Sequence, residues 1–247
     1  MTAEPGSFLT ARWVHLAMIN HEIDPAVLEP HVPAGTVLDE WDGRCFVSLV
    51  GFRFLDTKVL GIPIPFHRHF DEVNLRFYVR REVDGELRRG VVFIKEIVPR
   101  AAIALVARVI YEENYVALPM RHRIAMADGE DRSVRYEWRV GSRWNGLGVE
   151  VEGEPVLPEV GSEEEFITEH YWGYAAQRDG STVEYRVEHP QWRVWRATRS
   201  SLDCDVGQLY GPEFVEALSG DPSSAFLAAG SEVVVRPGRE SPNGRDQ

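Results

Sequence analysis

The chain has 247 residues, 44% of them hydrophobic, and a formal net charge of −12, enough apolar material for a sizeable core with no Pro/Gly/Ser-rich linker to divide it. Its basic residues are scattered, which argues against nucleic-acid binding, and its longest aliphatic run, residues 101–107, falls far short of the ~20 residues needed to cross a bilayer. With no apolar leader after Met1, the expectation is a cytoplasmic protein without a membrane segment.

Residues 12–20 alternate, with Trp13, His15, Ala17 and Ile19 set against Val14, Leu16 and Met18, and predict a first strand. Asp24 caps a short helix that has Pro25 at its first position and is ended by Pro30 and Pro33. Gly43 turns the chain into a second strand at 44–54, and the Gly/Pro cluster at 61–65 is a loop. A strand at 70–80 leads through a turn at Asp84-Gly85 to a β-branched hairpin partner at 90–98. Pro99 opens a helix to about residue 111, with Ile103, Val106, Ala107 and Ile110 as its apolar stripe.

Strands at 121–127 and 133–139 come next, followed by a proline- and glycine-punctuated segment at 146–161. Ser162 and Glu165 form a capping box for a helix reaching about His170. Strands resume at 171–176, 183–187 and 192–202, and a short helix at 212–218 precedes a last strand at 231–236. The polar tail, 237–247, is expected to be disordered, leaving 1–236 as a single domain. Many short strands with few helices predict a mainly β (α+β) chain, a closed or nearly closed β-barrel with short helices packed outside.

The strand at 70–80 is the most informative. Glu72, Asn74, Arg76 and Tyr78 share one face, while Val73, Leu75, Phe77 and Val79 share the other. An acid, an amide, a base and a phenol in register require either bulk water on that side or a polar cavity. The first makes this an outer strand with solvated charges; the second makes it the wall of a ligand site.

Several motifs carry a family resemblance. They are W-x-H-L-x-x-x-x-H from Trp13 to His21, Asp24 with Leu28 and Val32-Pro33, Asp42-Gly43, E-x-N-x-R at Glu72, Asn74 and Arg76, G-V-x-F from Gly90 to Phe93, Ala107-Arg108, and H-P-x-W at His189 to Trp192. In their order and spacing the chain resembles the YqjF-like family of uncharacterised proteins (domain of unknown function 2071), over about three quarters of its length. That family is similar to acetoacetate decarboxylase, which implies a cone-shaped β-barrel with a buried cavity. In the decarboxylase a lysine of depressed pKa forms a Schiff base with a β-keto acid. That lysine follows a Tyr-Pro pair a few residues after an Ala-x-Gly-Arg-Glu segment; here the corresponding stretch after Ala107-Arg108 reads Glu113-Asn114-Tyr115. The alignment puts Tyr115 in the lysine's place, and a phenol forms no iminium, so the resemblance implies the barrel without Schiff-base decarboxylation. Related sequences also carry Thr-Glu-Arg-Tyr where this chain has Thr168-Glu169-His170-Tyr171.

The ligand-binding candidates are Glu72, Asn74, Arg76, Tyr115, His189 and Trp192. Glu72 orients a ligand or acts as general base, Arg76 holds a carboxylate through its fork of donors, and the aromatic residues supply cavity wall. Lys95, on a strand with Val91, Phe93 and Ile97 read as sharing its face, is a second catalytic candidate alongside Glu72; Lys58, the other lysine, reads as solvated. His67 and His69, near Asp71, form too small a set for a metal site, and Cys45 and Cys204 are too few for a disulfide framework or a cysteine metal site. No metal or cofactor is expected.

The expected function is therefore binding of a small organic acid or carbonyl compound in a barrel cavity, with enzymatic activity left open. Two alternatives stand beside it: a non-catalytic structural or interaction protein with a filled barrel, and a decarboxylase- or aldolase-like enzyme using Lys95. Homo-oligomerisation is also open.

Overall fold

The computed structural model describes residues 6–63, 67–99, 114–127 and 132–241. The predicted helix at 99–111 lies outside the described residues except for Pro99. In chain order the elements are β1 (Leu9–Ile23), α1 (Pro25–Leu28), β2 (Val37–Leu38), β3 (Cys45–Val59), β4 (Ile62–Pro63), β5 (Phe70–Val83), β6 (Glu86–Val98), β7 (Tyr115–Ala117), β8 (Met120–Ala125), β9 (Arg132–Val140) and β10 (Arg143–Val151). They continue with α2 (Glu163–Thr168), β11 (Trp172–Ala176), β12 (Thr182–Glu188), β13 (Val194–Asp203), α3 (Val206–Leu209), a 3-10 turn (Pro212–Phe214), α4 (Val215–Ser219), β14 (Ser224–Val235) and β15 (Arg239–Ser241).

Among the described residues the strands form one hydrogen-bonded network, in the order β15-β12-β11-β6-β5-β3-β1-β14-β13-β10-β9-β8. A further antiparallel pairing of β12 with β14, at Val187↔Val235 and Glu188↔Val234, closes seven of these strands into a ring. Strands β13, β10, β9 and β8 extend from β14 as an arm. The chain is thus mainly β, as expected.

Strand periodicity divides most of the apolar residues between two cores, with a small third cluster of Tyr185, Val187 and Val235 where β12 meets β14. Val73, Leu75, Phe77 and Val79 of β5 join Val47 and Leu49 of β3 and meet Tyr136, Trp138, Leu147 and Val149 from the arm, with Leu209, Phe214 and Leu218 from the short helices. The opposite faces contribute Phe46, Val50, Phe52, Phe54, Phe70 and Tyr78 to a second cluster with Leu16, Trp192 and Phe226. Both faces of β5 are therefore covered, and an outer strand with solvated charges is not what forms.

Several elements differ from the sequence reading. Residues 146–161 begin inside β10, whose Leu147, Val149 and Val151 alternate inward. At Gly146 a Cβ would stand 3.2 Å from the Tyr136 carbonyl oxygen and 3.1 Å from Glu137 Cγ, a tight fit against β9 that favours glycine there. The last predicted strand, 231–236, is the end of the longer β14, and α3 adds a turn of helix capped by the Asp205 side chain. Part of the tail expected to be disordered, Arg239–Ser241, pairs with β12; residues 242–247 lie outside the described residues. The predicted capping box at Ser162 forms in modified shape: Ser162 Oγ accepts from the Glu165 N–H at 3.2 Å, while Glu165 Oε2 accepts from the Gly161 N–H at 2.5 Å.

Candidate functional site

The ring borders a partly open cavity of about 210 Å³. Each of its seven strands contributes to the wall: Trp13 from β1, Phe52 and Phe54 from β3, Glu72, Asn74 and Arg76 from β5, Phe93 and Glu96 from β6, Trp172 from β11, Tyr185 from β12 and Val235 from β14. Much of the wall is aromatic. Phe54 stacks on Phe70 at 4.4 Å, and Trp13 meets Phe52 and Phe54 edge-on at 5.2 and 5.5 Å.

Against this apolar lining stands the polar row. Glu72 and Asn74 are buried, at 3% and 2% exposure. The Asn74 amide Nδ2 donates to Glu72 Oε1 at 3.0 Å. Arg76 is half-buried; its Nη2 donates to the Ile167 carbonyl at 3.1 Å, tying the row to the end of α2. Tyr78, fourth in the row, turns its hydroxyl to Ser48 Oγ at 2.6 Å and packs its ring 4.7 Å from His170.

The remaining predicted residues divide. Tyr115 lines the cavity from β7, beside Glu96 in the parallel register. His189 and Trp192 line it too, their rings stacked at 4.0 Å and 15°. Trp192 Nε1 donates to Ser231 Oγ at 2.9 Å, and His189 Nδ1 faces the Pro190 carbonyl at 3.0 Å. Burial pushes the His189 pKa down to about 4 despite that carbonyl.

Lys95 is not among the lining residues, and the sequence reading of its face is corrected by a bulge. In the β5–β6 pairing Leu75 faces Lys95 but Arg76 faces Phe93, leaving Ile94 as the extra residue. Val91 and Phe93 therefore look into the cavity, Lys95 and Ile97 look away, and Glu96 looks in. The Lys95 ammonium donates to the Leu209 carbonyl, and burial lowers its pKa. Lys58 lies on the outside beside Asp56 and Arg68. Neither of the chain's two lysines lines the cavity.

His67 reaches the cavity wall, whereas His69 Nδ1 accepts from the Asp56 N–H at 3.2 Å. Asp71 is engaged by Arg53 at 3.2 Å and His122 at 2.7 Å. Among the described residues no group of three or more His, Cys, Asp or Glu could hold a metal ion.

The sequence reading missed two polar residues of the cavity wall, Glu96 and His170, and the Asp39 carboxylate behind the second. Glu96, 1% exposed, faces Asn74 across the β5–β6 pair. His170 lines the cavity with its Nε2 3.1 Å from Asp39 Oδ2, and the same oxygen accepts from Arg89 Nε at 2.6 Å. Burial alone would raise the Asp39 pKa, but the hydrogen bonds from His170 and Arg89 hold it below the ordinary carboxylate value. Burial pushes His170 down to about 4, against the raising effect of Asp39. His170 is therefore a neutral imidazole at neutral pH, held in place by an ion-paired carboxylate. The one sequence signal was its place in the Thr168–Tyr171 stretch, where the family resemblance implies an arginine.

Known structures share this architecture at low identity. An enduracididine biosynthesis enzyme, MppR, complexed with pyruvate aligns with a TM-score of 0.68 at 12% identity, over 96% of this chain and 91% of that one. An acetoacetate decarboxylase from Legionella pneumophila subsp. pneumophila str. Philadelphia 1 aligns at 0.66 and 15%, over 99% and 91%. An acetoacetate decarboxylase-like enzyme from Sphingomonas wittichii RW1 aligns at 0.63 and 14%, over 95% and 93%. The fold is thus acetoacetate decarboxylase-like. Residues 10–232 match the family of uncharacterized conserved proteins known as domain of unknown function 2071, and the chain belongs to that family. No curated protein matches the sequence.

Proposed function

We propose that the protein binds a small organic acid or carbonyl compound inside the strand ring, which serves as the cone-shaped barrel expected from the resemblance, and that it does so without Schiff-base chemistry. The observation that carries this reading is the placement of Glu72, Asn74 and Arg76 together in the wall of an otherwise largely aromatic cavity. Buried polar groups converging in an apolar hollow are the usual signature of a ligand site. Arg76, with its fork of donors, suits a carboxylate; Glu72, Glu96, His170 and His189 are among the lining groups able to take a proton. The pyruvate bound to the structural neighbour MppR is a ligand of the same chemical class.

An iminium needs an amine at the reacting carbon. Lys95 points away from the cavity with its ammonium bonded to the Leu209 carbonyl, and Tyr115 offers a phenol. Borohydride treatment in the presence of acetoacetate or pyruvate, read by intact mass, is expected to leave the protein unmodified. A stable adduct lost in Lys95→Ala would overturn this part of the reading. Ligand binding itself is tested by thermal shift with a panel of small carboxylic acids. A rise in midpoint for at least one acid that disappears in Arg76→Met is expected; no response to any acid would remove the proposal.

A further inference from the structure

Two hydrogen-bond acceptors in the cavity wall, Asn74 Oδ1 and His170 Nδ1, are buried with no partner among the described residues, and so are the donors Arg76 Nε and Trp13 Nε1 and the Thr57 hydroxyl. Asn74 and His170 are 2% and 7% exposed. Both acceptors have a fixed identity. The Asn74 amide nitrogen is committed to Glu72 Oε1, which leaves its oxygen as the atom without a bond. Asp39 holds its carboxylate against His170 Nε2, and a carboxylate only accepts, so the ring proton sits on Nε2 and Nδ1 keeps a lone pair.

A buried acceptor without a donor is costly, so a wall that holds two of them beside an arginine is matched to a particular ligand pattern. We propose that the ligand of this cavity is a small carboxylic acid that also carries a hydroxyl group, its carboxylate held by Arg76 and its O–H donated to Asn74 Oδ1 or His170 Nδ1. The inference rests on the proposed function and narrows its ligand class. A plain keto acid presents a carbonyl oxygen, itself an acceptor, to the same two atoms, and a site built to receive a hydroxyl rejects the analogue that lacks one. Because burial keeps His170 neutral down to about pH 4, its lone pair is available at neutral pH.

Isothermal titration of the full chain at pH 7.5 with two matched pairs, lactate against pyruvate and 2-hydroxybutyrate against 2-oxobutyrate, tests this directly. The hydroxy member of each pair is expected to bind about tenfold more tightly or better, a difference of about 1.4 kcal/mol. In His170→Phe or in Asn74→Leu the ratio of hydroxy-acid to keto-acid affinity should shrink to within about twofold, whatever the variant does to overall affinity. Equal or tighter binding of the keto acids by the unaltered protein, or a preference that persists in both variants, overturns the inference and leaves the proposed function standing. Absence of binding by all four acids overturns both. If neither variant folds, the comparison of pairs on the unaltered protein decides alone.

Discussion

At His170 burial and an ion-paired carboxylate act in opposite directions, and burial wins: the imidazole pKa falls from 6.5 to about 4, as does that of His189. Between pH 6.5 and about 4 the unfolded chain takes up protons that the folded chain does not, so stability falls as pH falls through that window. For His170 the loss is on the order of 3 kcal/mol once the window is crossed, at about 1.4 kcal/mol per pKa unit. Asp39 adds to it in the acid range, since a carboxylate with a lowered pKa contributes stability that is lost below its ordinary value of 3.8. Urea unfolding at a series of pH values is expected to show this decline, and His170→Phe should flatten it; an unchanged slope in that variant would contradict the account. Asn74→Leu removes a hydrogen bond to a buried carboxylate and is expected to cost about 1–3 kcal/mol in the same measurement. The residue scale is also where the sequence is legible only in part. Strict alternation put Glu72, Asn74 and Arg76 on one face, and that placement holds. It misassigned Lys95 and passed over Glu96 because the bulge at Ile94 shifts the period without a glycine or proline to mark it. The Asp39–His170 contact spans 131 positions, a separation across which periodicity carries no information.

At the scale of elements, the long strands were readable wherever one residue in two is apolar, and less so where a glycine serves packing instead of turning. Gly146 in β10 is one case; Gly230 in β14 is the sharper one. Gly230 has φ +81°, and a Cβ there would lie 2.0 Å from the Trp13 carbonyl oxygen. It faces Val14 of β1 next to His15, a non-glycine residue at φ 54°, where the register between β1 and β3 also shifts. The close pairing of β1 with β14 at this irregularity thus requires a residue without a side chain. Gly230→Ala is expected to destabilise by at least about 2 kcal/mol in chemical denaturation, more than an ordinary surface substitution. A change under about 0.5 kcal/mol would show that this pairing is not so constrained. The Lys95 strand end, by contrast, tolerates change: its ammonium caps one carbonyl, and Lys95→Met should fold and leave acid binding intact.

For the whole molecule, ring closure depends on the two residue pairs between β12 and β14, supported by the Arg236–Glu188 ion pair at 2.7 Å. Strands β1, β3 and β5 have partners on both sides, whereas β8 and β15 are edges. Amide hydrogen exchange should therefore be slowest in β1, β3 and β5, faster across the β12–β14 seam and fastest at the edges. The mainly β class and the decarboxylase-like architecture could be anticipated from strand count and motif order, but the seam could not, because a short long-range pairing leaves no periodic trace. The central claim is that the row on β5 recognises a small carboxylic acid within this ring. Calorimetric titration of lactate into the unaltered protein and into Arg76→Met tests it most directly. One-to-one binding that weakens at least about tenfold in a variant of unchanged circular dichroism is the predicted result; equal affinity in the two proteins, or no heat from either, would contradict it.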